Sequence, residues 1–411
     1  MTEETSTGFD LLAGIRVVDF TQFEAGPSCT EALAWMGAEV VKIENPQRGD
    51  PGRRLRPGAP DDDPWYFNIF NANKKSLTVD LKNPAGRDLV RRMLERADVC
   101  VENFAPGTIE RLGFGWEQVH ALNPRLIYCQ IKGFGEGSPH ESGLAFDMIA
   151  QACGGTMSVT GEKDGSPLKP GISLGDTGTG MLMAATVSAA LFRRQTTGRG
   201  CRLAVAMQDA MLHYMRTNFA TTRRTGRAVG RGGAKVPGVT NAPMGLYPCT
   251  PGGPNDYVYI MTSRANPEHW TRLLTLIGRA DLIGDARYAT PADRLAREAE
   301  VDALIAEWTC RHSKHEAMAL VSGVGVPAGA VLDTLELSTE PSFVQRGIVQ
   351  SVARPDEAAM NVPTWPVRLD GQTARVAAAP RLGADTEAVL GAWLGLGPDR
   401  IAGLRAEGGV P

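Results

Sequence analysis

Residues 15–44 read IRVVDFTQFEAGPSCTEALAWMGAEVVKIE, and this stretch decides the fold class. Its two ends, IRVVDF (15–20) and AEVVKIE (38–44), are apolar and rich in β-branched residues, which predicts two strands. Between them, the loop TQFEAGP (21–27) leads into a helical segment that begins near Pro27 and is followed by a glycine. A strand, a helix and a second strand in this order indicate a βαβ unit with parallel strands.

The same alternation continues through the first half of the chain. Further strands are predicted at 76–81, 98–104, 125–134 and 202–207, and further helices at 83–97, 179–195 and 208–220. The chain is therefore predicted to be an α/β protein with a parallel sheet. Because such sheets bind ligands at the carboxyl ends of their strands, a site is expected among the loops 21–27, 103–108 and 133–147.

The composition changes after residue 220. Residues 221–243 carry five basic residues and no acidic one, which predicts a linker or mobile loop. This segment is either a solvated connector or a contact for a phosphate-bearing ligand or a partner subunit. A smaller α+β unit is predicted over 244–333, and the tail 334–411 again shows strand-like and helix-like segments.

Composition argues against several other classes of protein. The chain has 411 residues, 43% of them hydrophobic, and a net charge of −3, which favours a globular protein over a dedicated nucleic-acid binder. The most apolar stretch, 181–192, is too short to span a membrane, and the polar start shows no signal-peptide pattern. Seven scattered cysteines without CxxC spacing, and six unclustered histidines, predict a cytoplasmic protein without a metal site.

The stretch PGISLGDTGTGMLMAATVSAAL (170–191) places Asp176 between a predicted strand and a predicted helix. A helix N-terminus favours the ionised carboxylate, and Gly175, Gly178 and Gly180 leave room for a substrate or a backbone to approach. An ionised, uncrowded aspartate is a plausible nucleophile toward an acyl group. An aspartate that only caps the helix also fits the pattern and is a common feature of helices, so the residue types alone leave both interpretations open.

Several long stretches together resemble one known family. They are VVDFTQFEAGPSCTEALAWMGAEVVKIENPQRGD (17–50), FNANKKSLTVDLKNPAGRDLV (70–90), DVCVENFAPGTIERLGFGW (98–116), NPRLIYCQIKGFG (123–135), LGDTGTGM (174–181), TGRGCRLAVAMQDAML (197–212), GVPAGAVLD (325–333) and PRLGADTEAVL (380–390). The chain resembles the family III CoA-transferases, which include oxalate- and carnitine-using enzymes, and the resemblance weakens between 221 and 256.

This resemblance implies a fold and a reaction. The fold is a Rossmann-like large domain built from both chain ends, 1–220 and 334–411, with the smaller α+β domain at 244–333. The implied assembly is a homodimer whose chains interlock. The implied reaction moves coenzyme A between carboxylic acids, which are predicted to be small or dicarboxylic, through an aspartyl-CoA thioester on Asp176. Acyl-CoA and a carboxylic acid are then the substrates, and no metal or redox cofactor is required.

The resemblance also assigns residues to coenzyme A binding. They are Glu24, Ala25, Val79, Lys82, Asn103, Phe104, Ala105, Arg111 and Phe146. Lys82 and Arg111 would make charge-assisted contacts to the phosphates of coenzyme A, and Phe104 would cover an apolar face. For Lys82, a solvated surface position is the alternative.

Three positions depart from the oxalate-using members of the family. Glu24 stands where those enzymes have glutamine, Leu55 stands where they have a tryptophan, and their polyglycine lid has no counterpart near VTNAP (239–243). These differences leave the acceptor acid open, but they do not affect the proposed nucleophile. Arg264 is predicted to hold a second carboxylate of the acceptor, with a surface pairing to Glu268 as the alternative.

Two other functions remain as alternatives. An acyl-CoA racemase on the same fold would need a proton carrier at position 146, where the family's racemases have histidine and this chain has phenylalanine. A non-catalytic CoA-binding protein would have no need of the intact GDTGTG stretch (175–180). The sequence therefore favours the transferase.

Overall fold

The computed structural model describes residues 9–54, 65–237, 241–353 and 358–411. The strands are β1 (Arg16–Asp19), β2 (Glu39–Glu44), β3 (Lys75–Thr78), β4 (Val99–Glu102), β5 (Ile127–Lys132), β6 (Cys201–Ala206), β7 (Met244–Pro248), β8 (Tyr257–Met261), β9 (Ala328–Ala330), β10 (Val349–Val352) and β11 (Met360–Pro363). The helices are α1 (Ala25–Trp35), α2 (Trp65–Phe70), α3 (Pro84–Leu94), α4 (Thr108–Arg111), α5 (Trp116–Leu122), α6 (Asp147–Cys153), α7 (Thr179–Thr197), α8 (Met207–Tyr214), α9 (Arg216–Thr225), α10 (Glu268–Leu276), α11 (Pro291–Ala296), α12 (Glu298–Thr309), α13 (Lys314–Gly323), α14 (Thr334–Thr339), α15 (Pro341–Gln345), α16 (Thr386–Leu394) and α17 (Pro398–Ala406).

The chain folds into two compact units. The first contains Met1–Met157, Lys169–Arg216 and Pro341–Pro411, and the second contains Ser158–Leu168 and Thr217–Glu340. The predicted domain bounds, with a linker at 221–243, remain a prediction beside this division, and α9 extends into that linker as far as Thr225.

A six-stranded sheet forms the centre of the first unit. Its order is β3-β2-β1-β4-β5-β6, and every neighbouring pair of strands is parallel. This confirms the predicted α/β class. The order reverses between β1 and β4, and in such sheets the loops that follow the two strands at this point diverge and leave a crevice.

The β1–α1–β2 unit forms for the reasons that its sequence suggests. Both faces of the sheet are covered, so β1 and β2 consist largely of buried residues. Every residue of α1 from Ala25 to Ala34 is buried, and Gly37 follows the helix with a φ of +96°. That left-handed conformation suits glycine because a Cβ atom would clash with the backbone there.

Two hydrophobic clusters cover the two faces of the sheet. One contains α3 residues such as Leu89 and Met93, and it also contains Trp393 of α16, so the end of the chain completes the core of the first unit. The other contains Leu33 of α1 and Val187 of α7. The hairpin β10–β11, whose strands are antiparallel, belongs to the same unit.

The second unit has its own antiparallel sheet, in the order β7-β8-β9, and its own core. Trp270 and Leu273 of α10, with Val301 and Ile305 of α12, pack against Val258 of this sheet. Within the described ranges of the chain, no helix is long and apolar enough to cross a membrane. The cytoplasmic location remains a prediction.

Two predicted elements differ in the structure. The helix expected over 208–220 is divided into α8 and α9. The strand expected before Asp176 is absent from the described residues there: residues 170–173 form no strand, and a π-helical turn begins at Leu174. Leu55 and residues 239–240 lie outside the described residues.

Candidate active site

Asp176 lies in a π-helical turn, Leu174–Gly178, that continues directly into α7. The glycines around it are required by packing. A Cβ atom on Gly180 would lie 2.6 Å from the carbonyl oxygen of Ala25, and one on Gly175 would lie 2.8 Å from the carbonyl oxygen of Asp147. The room that these glycines were predicted to leave is therefore occupied by the backbone of neighbouring residues. The glycines allow α7 to lie close to α1.

This close approach gives a stability prediction. Gly180→Ala should lower the free energy of unfolding by about 1–3 kcal/mol, because its Cβ would collide with rigid backbone. Gly391→Ala is the matched control, since Gly391 lies inside α16 and its nearest neighbour would be 3.8 Å away. This control should be neutral or stabilising by about 0.5–1 kcal/mol. Urea unfolding measures both; equal effects would show that α7 and α1 are less tightly packed than described.

Two neighbouring carboxyl groups act on Asp176 at this turn. Burial, followed by the charges of Glu24 and Asp147, raises the pKa of Asp176 to about 7, and Lys169 opposes the shift. The sequence predicted an ionised, uncrowded carboxylate, but the carboxyl group is crowded by two acids and is protonated in a larger share of molecules near neutral pH than an ordinary aspartate. Loss of solvent and the two neighbouring acids outweigh the favourable position before a helix.

Glu24 precedes α1 and is buried against the turn that carries Asp176. The Thr177 hydroxyl donates to its Oε1 atom over 2.7 Å, and the Tyr66 hydroxyl donates to Oε2 over 3.3 Å. Burial raises the pKa of Glu24 despite these hydrogen bonds. Burial, then the charges of Glu24 and Asp176, also raises the pKa of Tyr66. Glu24 is therefore coupled to the reactive turn both through Thr177 and electrostatically.

Asp147 fixes the other side of the turn. Its Oδ1 atom accepts the backbone N–H of Gly175 at 2.8 Å, and its Oδ2 atom lies 3.2 Å from the Lys169 ammonium group. Gln151, one turn later on α6, donates to both carboxylate oxygens at 2.8 Å. Asp147 thus holds the backbone next to Asp176 while adding negative charge to it.

Asp176 faces a cleft of about 260 Å³ at the crevice between β1 and β4. The cleft is lined by Gln22, Phe23, Ala25, Asn103, Phe104, Ala105, Pro106, Ile131, Lys132, Gly133, Gly143, Leu144, Ala145, Phe146, Asp176 and Met207. All three loops in which the sequence predicted a site, 21–27, 103–108 and 133–147, contribute residues to this lining. A ligand in the cleft would therefore contact the carboxyl ends of β1, β4 and β5 as well as Asp176.

The loop after β1 is held in an unusual conformation. Asn103 accepts from the backbone N–H of Gln22 and donates to its carbonyl oxygen, each over 2.8 Å. The next residue, Phe23, has a φ of +61°, which is rare for a bulky side chain. Its backbone N–H donates to Oδ1 of Asp50 over 3.1 Å. These bonds fix the loop that forms one side of the cleft.

Two buried ion pairs lie next to the loop after β1. Lys42 is paired with Asp50 at 2.8 Å, and Lys74 with Asp19 at 3.1 Å, and all four side chains are essentially inaccessible to solvent. Burial alone would raise the pKa of Asp19, but Lys74 and Lys42 hold it below its ordinary value. The Lys42 ammonium group also donates to the carbonyl oxygen of Thr21 over 2.7 Å.

The residues predicted to bind coenzyme A fall into three groups. Ala25, Asn103, Phe104, Ala105 and Phe146 line the cleft, whereas Glu24 is buried and is not among the lining residues. Val79 is buried in the core, so only its backbone could meet a ligand.

Lys82 and Arg111 lie on the surface after β3 and β4. Arg111 donates to the Thr108 hydroxyl over 2.9 Å. Arg264 is exposed on the loop after β8, in the second unit. The contacts of these basic residues with coenzyme A or an acceptor acid stay predictions.

Four residues of the site were missed by the sequence analysis. Thr177 had a signal, since it lies within the GDTGTG stretch. Asp147 also had one, since it ends the loop 133–147 in which a site was expected. Tyr66 and Lys169 had none, because only the fold brings them to Asp176. In the described part of the chain, no three His, Cys, Asp or Glu side chains are grouped so that they could hold a metal ion.

Comparison with known proteins gives consistent matches. The family model described as CoA-transferase family III matches residues 12–386. A formyl-CoA:oxalate CoA-transferase of Streptomyces coelicolor is 40% identical over 408 residues, which are 97% of this chain and 98% of that protein. One of Streptomyces avermitilis is 39% identical over 408 residues, again 97% of this chain and 98% of that protein. The crystal structure of a CAIB/BAIF family protein from Brucella suis aligns with a TM-score of 0.82 at 30% identity, covering 93% of this chain and 99% of that one.

Proposed function

The chain belongs to CoA-transferase family III, and from this membership and the site geometry we propose that it transfers coenzyme A by way of an aspartyl-CoA thioester on Asp176. That it is a CoA-transferase follows from the family; the intermediate and the substrates are the proposal. The observation that carries it is the position of Asp176, a half-buried carboxyl group that opens into a cleft at the strand-order reversal.

The first step requires Asp176 as a carboxylate. Its oxygen attacks the thioester carbon of the donor, the carbon–sulfur bond breaks, and a mixed anhydride and a CoA thiolate result. The thiolate then attacks the aspartyl carbonyl carbon, which releases the donor acid and leaves the aspartyl-CoA thioester. The incoming carboxylate repeats these two steps in reverse. Every atom that is displaced is retained as CoA, acid or Asp176.

The site residues support this sequence of steps. Asp147 and Thr177 hold the turn that carries Asp176, so the carboxyl group is positioned before a substrate binds. Burial destabilises the free carboxylate, which makes it a stronger nucleophile than an exposed one. Phe146 has no group that could carry a proton, which supports transfer over racemisation.

The substrates are proposed to be small or dicarboxylic acids. The support is the identity of about two fifths to formyl-CoA:oxalate CoA-transferases across nearly the whole chain. Formyl-CoA and oxalate are therefore the first donor and acceptor to test, followed by succinyl-CoA, succinate and acetate. The homodimer and the role of Arg264 in acceptor binding remain part of this proposal.

The experiment combines a substrate panel with a covalent trap. Each donor is incubated with each acceptor, and mass spectrometry measures the new acyl-CoA. Hydroxylamine added during turnover should convert Asp176 to its hydroxamate, which a peptide mass identifies. Transfer without modification of Asp176 would reject the aspartyl intermediate, and absence of transfer across the panel would reject the proposed substrate class.

The raised pKa of Asp176 gives a pH prediction. With a pKa of about 7, kcat/KM for the donor should rise with pH and reach a plateau above 8, because only the carboxylate attacks. At pH 6 the rate should be about tenfold below the plateau.

Glu24→Gln supplies the matched variant. It removes one of the negative charges that raise the pKa of Asp176, so the midpoint of the pH profile should move to lower pH. A profile that is flat from pH 5 to 8, or that does not respond to Glu24→Gln, would contradict the assignment.

A further inference from the structure

We propose that Phe23 and Phe146 form an aromatic shield beside Asp176 that keeps water from the acylated carboxylate and so favours transfer over hydrolysis. The inference rests on the proposed function, since it concerns the intermediates formed on Asp176. It goes further by assigning a specific task to two residues that carry no reactive group.

The two rings contact one another inside the cleft that Asp176 faces. Their centroids are 5.8 Å apart and their planes meet at 89°, which is the favoured edge-to-face arrangement. They come from separate parts of the chain: Phe23 lies in the loop after β1, and Phe146 lies just before α6. The contact therefore joins the two sides of the cleft.

Phe146 and its neighbour Leu144 leave apolar surface exposed at the cleft. The side chain of Phe146 is 54% exposed, and that of Leu144, which also lines the cleft, is 72% exposed. Large apolar side chains that stay exposed next to a reactive group mark a surface that a ligand covers. These two side chains contribute little to the core.

The backbone of Phe23 is held in place against its own preference. A φ of +61° is unfavourable for phenylalanine, and such a conformation persists only where the surroundings enforce it. Asp50 accepts its N–H, and the buried Lys42 fixes Asp50 in turn. Asn103 forms hydrogen bonds with both the N–H and the carbonyl oxygen of Gln22, the residue before Phe23. The structure thus maintains a strained conformation whose result is to place this ring against Phe146.

Water is the competing nucleophile for both intermediates. If it adds to the acyl carbon of the mixed anhydride, the bond to the Asp176 oxygen breaks, and free acid and the Asp176 carboxylate result. If it adds to the aspartyl-CoA carbonyl, the carbon–sulfur bond breaks and free CoA leaves. In both cases the water supplies the oxygen of a carboxylic acid and a proton to the thiolate. An apolar wall lowers the local concentration of water without obstructing a thiolate that is already bound.

The test measures how turnovers are partitioned. Using the donor and acceptor that transfer fastest in the panel, beginning with formyl-CoA and oxalate, we would record new acyl-CoA by mass spectrometry and free CoA with a thiol reagent. A sample without enzyme corrects for spontaneous hydrolysis. Phe146→Ala and Phe23→Ala should each raise the ratio of hydrolysis to transfer by about five- to tenfold, the loss expected for one aromatic contact.

Two variants serve as controls. Phe146→Leu keeps an apolar side chain and should retain most of the protection. Phe192→Ala removes a 78% exposed phenylalanine of α7 that does not line the cleft, and it should leave the ratio unchanged. If Phe146→Ala and Phe23→Ala slow transfer and hydrolysis in proportion, the two rings are structural and the inference is wrong. If the wild type hydrolyses but never transfers, the proposed function fails first, and the inference fails with it.

Discussion

Asp176→Asn is expected to abolish CoA transfer, with turnover falling by about 10⁴-fold or more. Asparagine has nearly the same size and shape, so the cleft and the π-helical turn should remain. What it lacks is the carboxylate oxygen that forms the bond to the acyl carbon, and binding energy cannot replace a covalent step. The measurement is the rate of new acyl-CoA formation at pH 8, where the wild-type carboxyl group is mostly ionised.

The folding control for this variant has a defined sign. The pKa of Asp176 is about 7 in the folded protein and about 3.8 in an unfolded chain, so the folded state binds more protons between these values. The contribution of Asp176 to the stability of the folded wild type therefore falls as the pH rises from 4 to 7. Asparagine does not titrate, so the variant should equal or exceed the wild type in thermal stability at pH 8. An inactive variant that is also less stable at pH 8 would point to misfolding, and one that retains more than about 1% of activity would exclude Asp176 as the nucleophile.

The sequence predicted most of the sheet, because each central strand is a short apolar run bounded by turn residues. The pattern IRVVDF–helix–AEVVKIE corresponds directly to β1, α1 and β2. It also located the loops at the carboxyl ends of the strands, which do line the cleft. Parallel strands bring those loops together whatever their distance along the chain, so this part of the site follows from topology alone.

The electrostatics of the site could not be predicted in this way. The pKa of Asp176 depends on burial and on the charges of Glu24 and Asp147. These residues lie far apart in the sequence, and only the packing of α1, α6 and α7 brings them close together. The helix-start pattern indicated a shift in the opposite direction, toward the ionised form, because it contains no information on solvent access. Local patterns therefore locate a candidate nucleophile, but its chemistry is set by tertiary packing.

The sequence also contains a signal for a buried ion pair, at Lys42. It interrupts the apolar strand AEVVKIE, and a lysine in a strand that is covered on both faces must be paired. The structure supplies Asp50 as its partner, along with the carbonyl oxygen of Thr21. Such a lysine predicts a buried ion pair before any partner can be named.

That ion pair gives the second large effect. Lys42→Met should lower the free energy of unfolding by about 3–5 kcal/mol, because it leaves the buried Asp50 without its counter-ion. Methionine fills a similar volume, so the loss reflects the charge and the hydrogen bonds more than packing. Urea unfolding followed by fluorescence measures the change.

Lys75→Met is the matched control for this loss. Lys75 lies on the neighbouring strand β3 and pairs with Glu39 of β2 at 2.7 Å, but 44% of its side chain is exposed. An exposed pair contributes less than about 1 kcal/mol, because water competes for both charges. A Lys42→Met protein as stable as Lys75→Met would mean that Asp50 is not held by Lys42.

Because Asp50 accepts the N–H of Phe23, the loop after β1 should loosen together with the ion pair. Lys42→Met should therefore also raise the ratio of hydrolysis to transfer, and Lys75→Met should leave it unchanged.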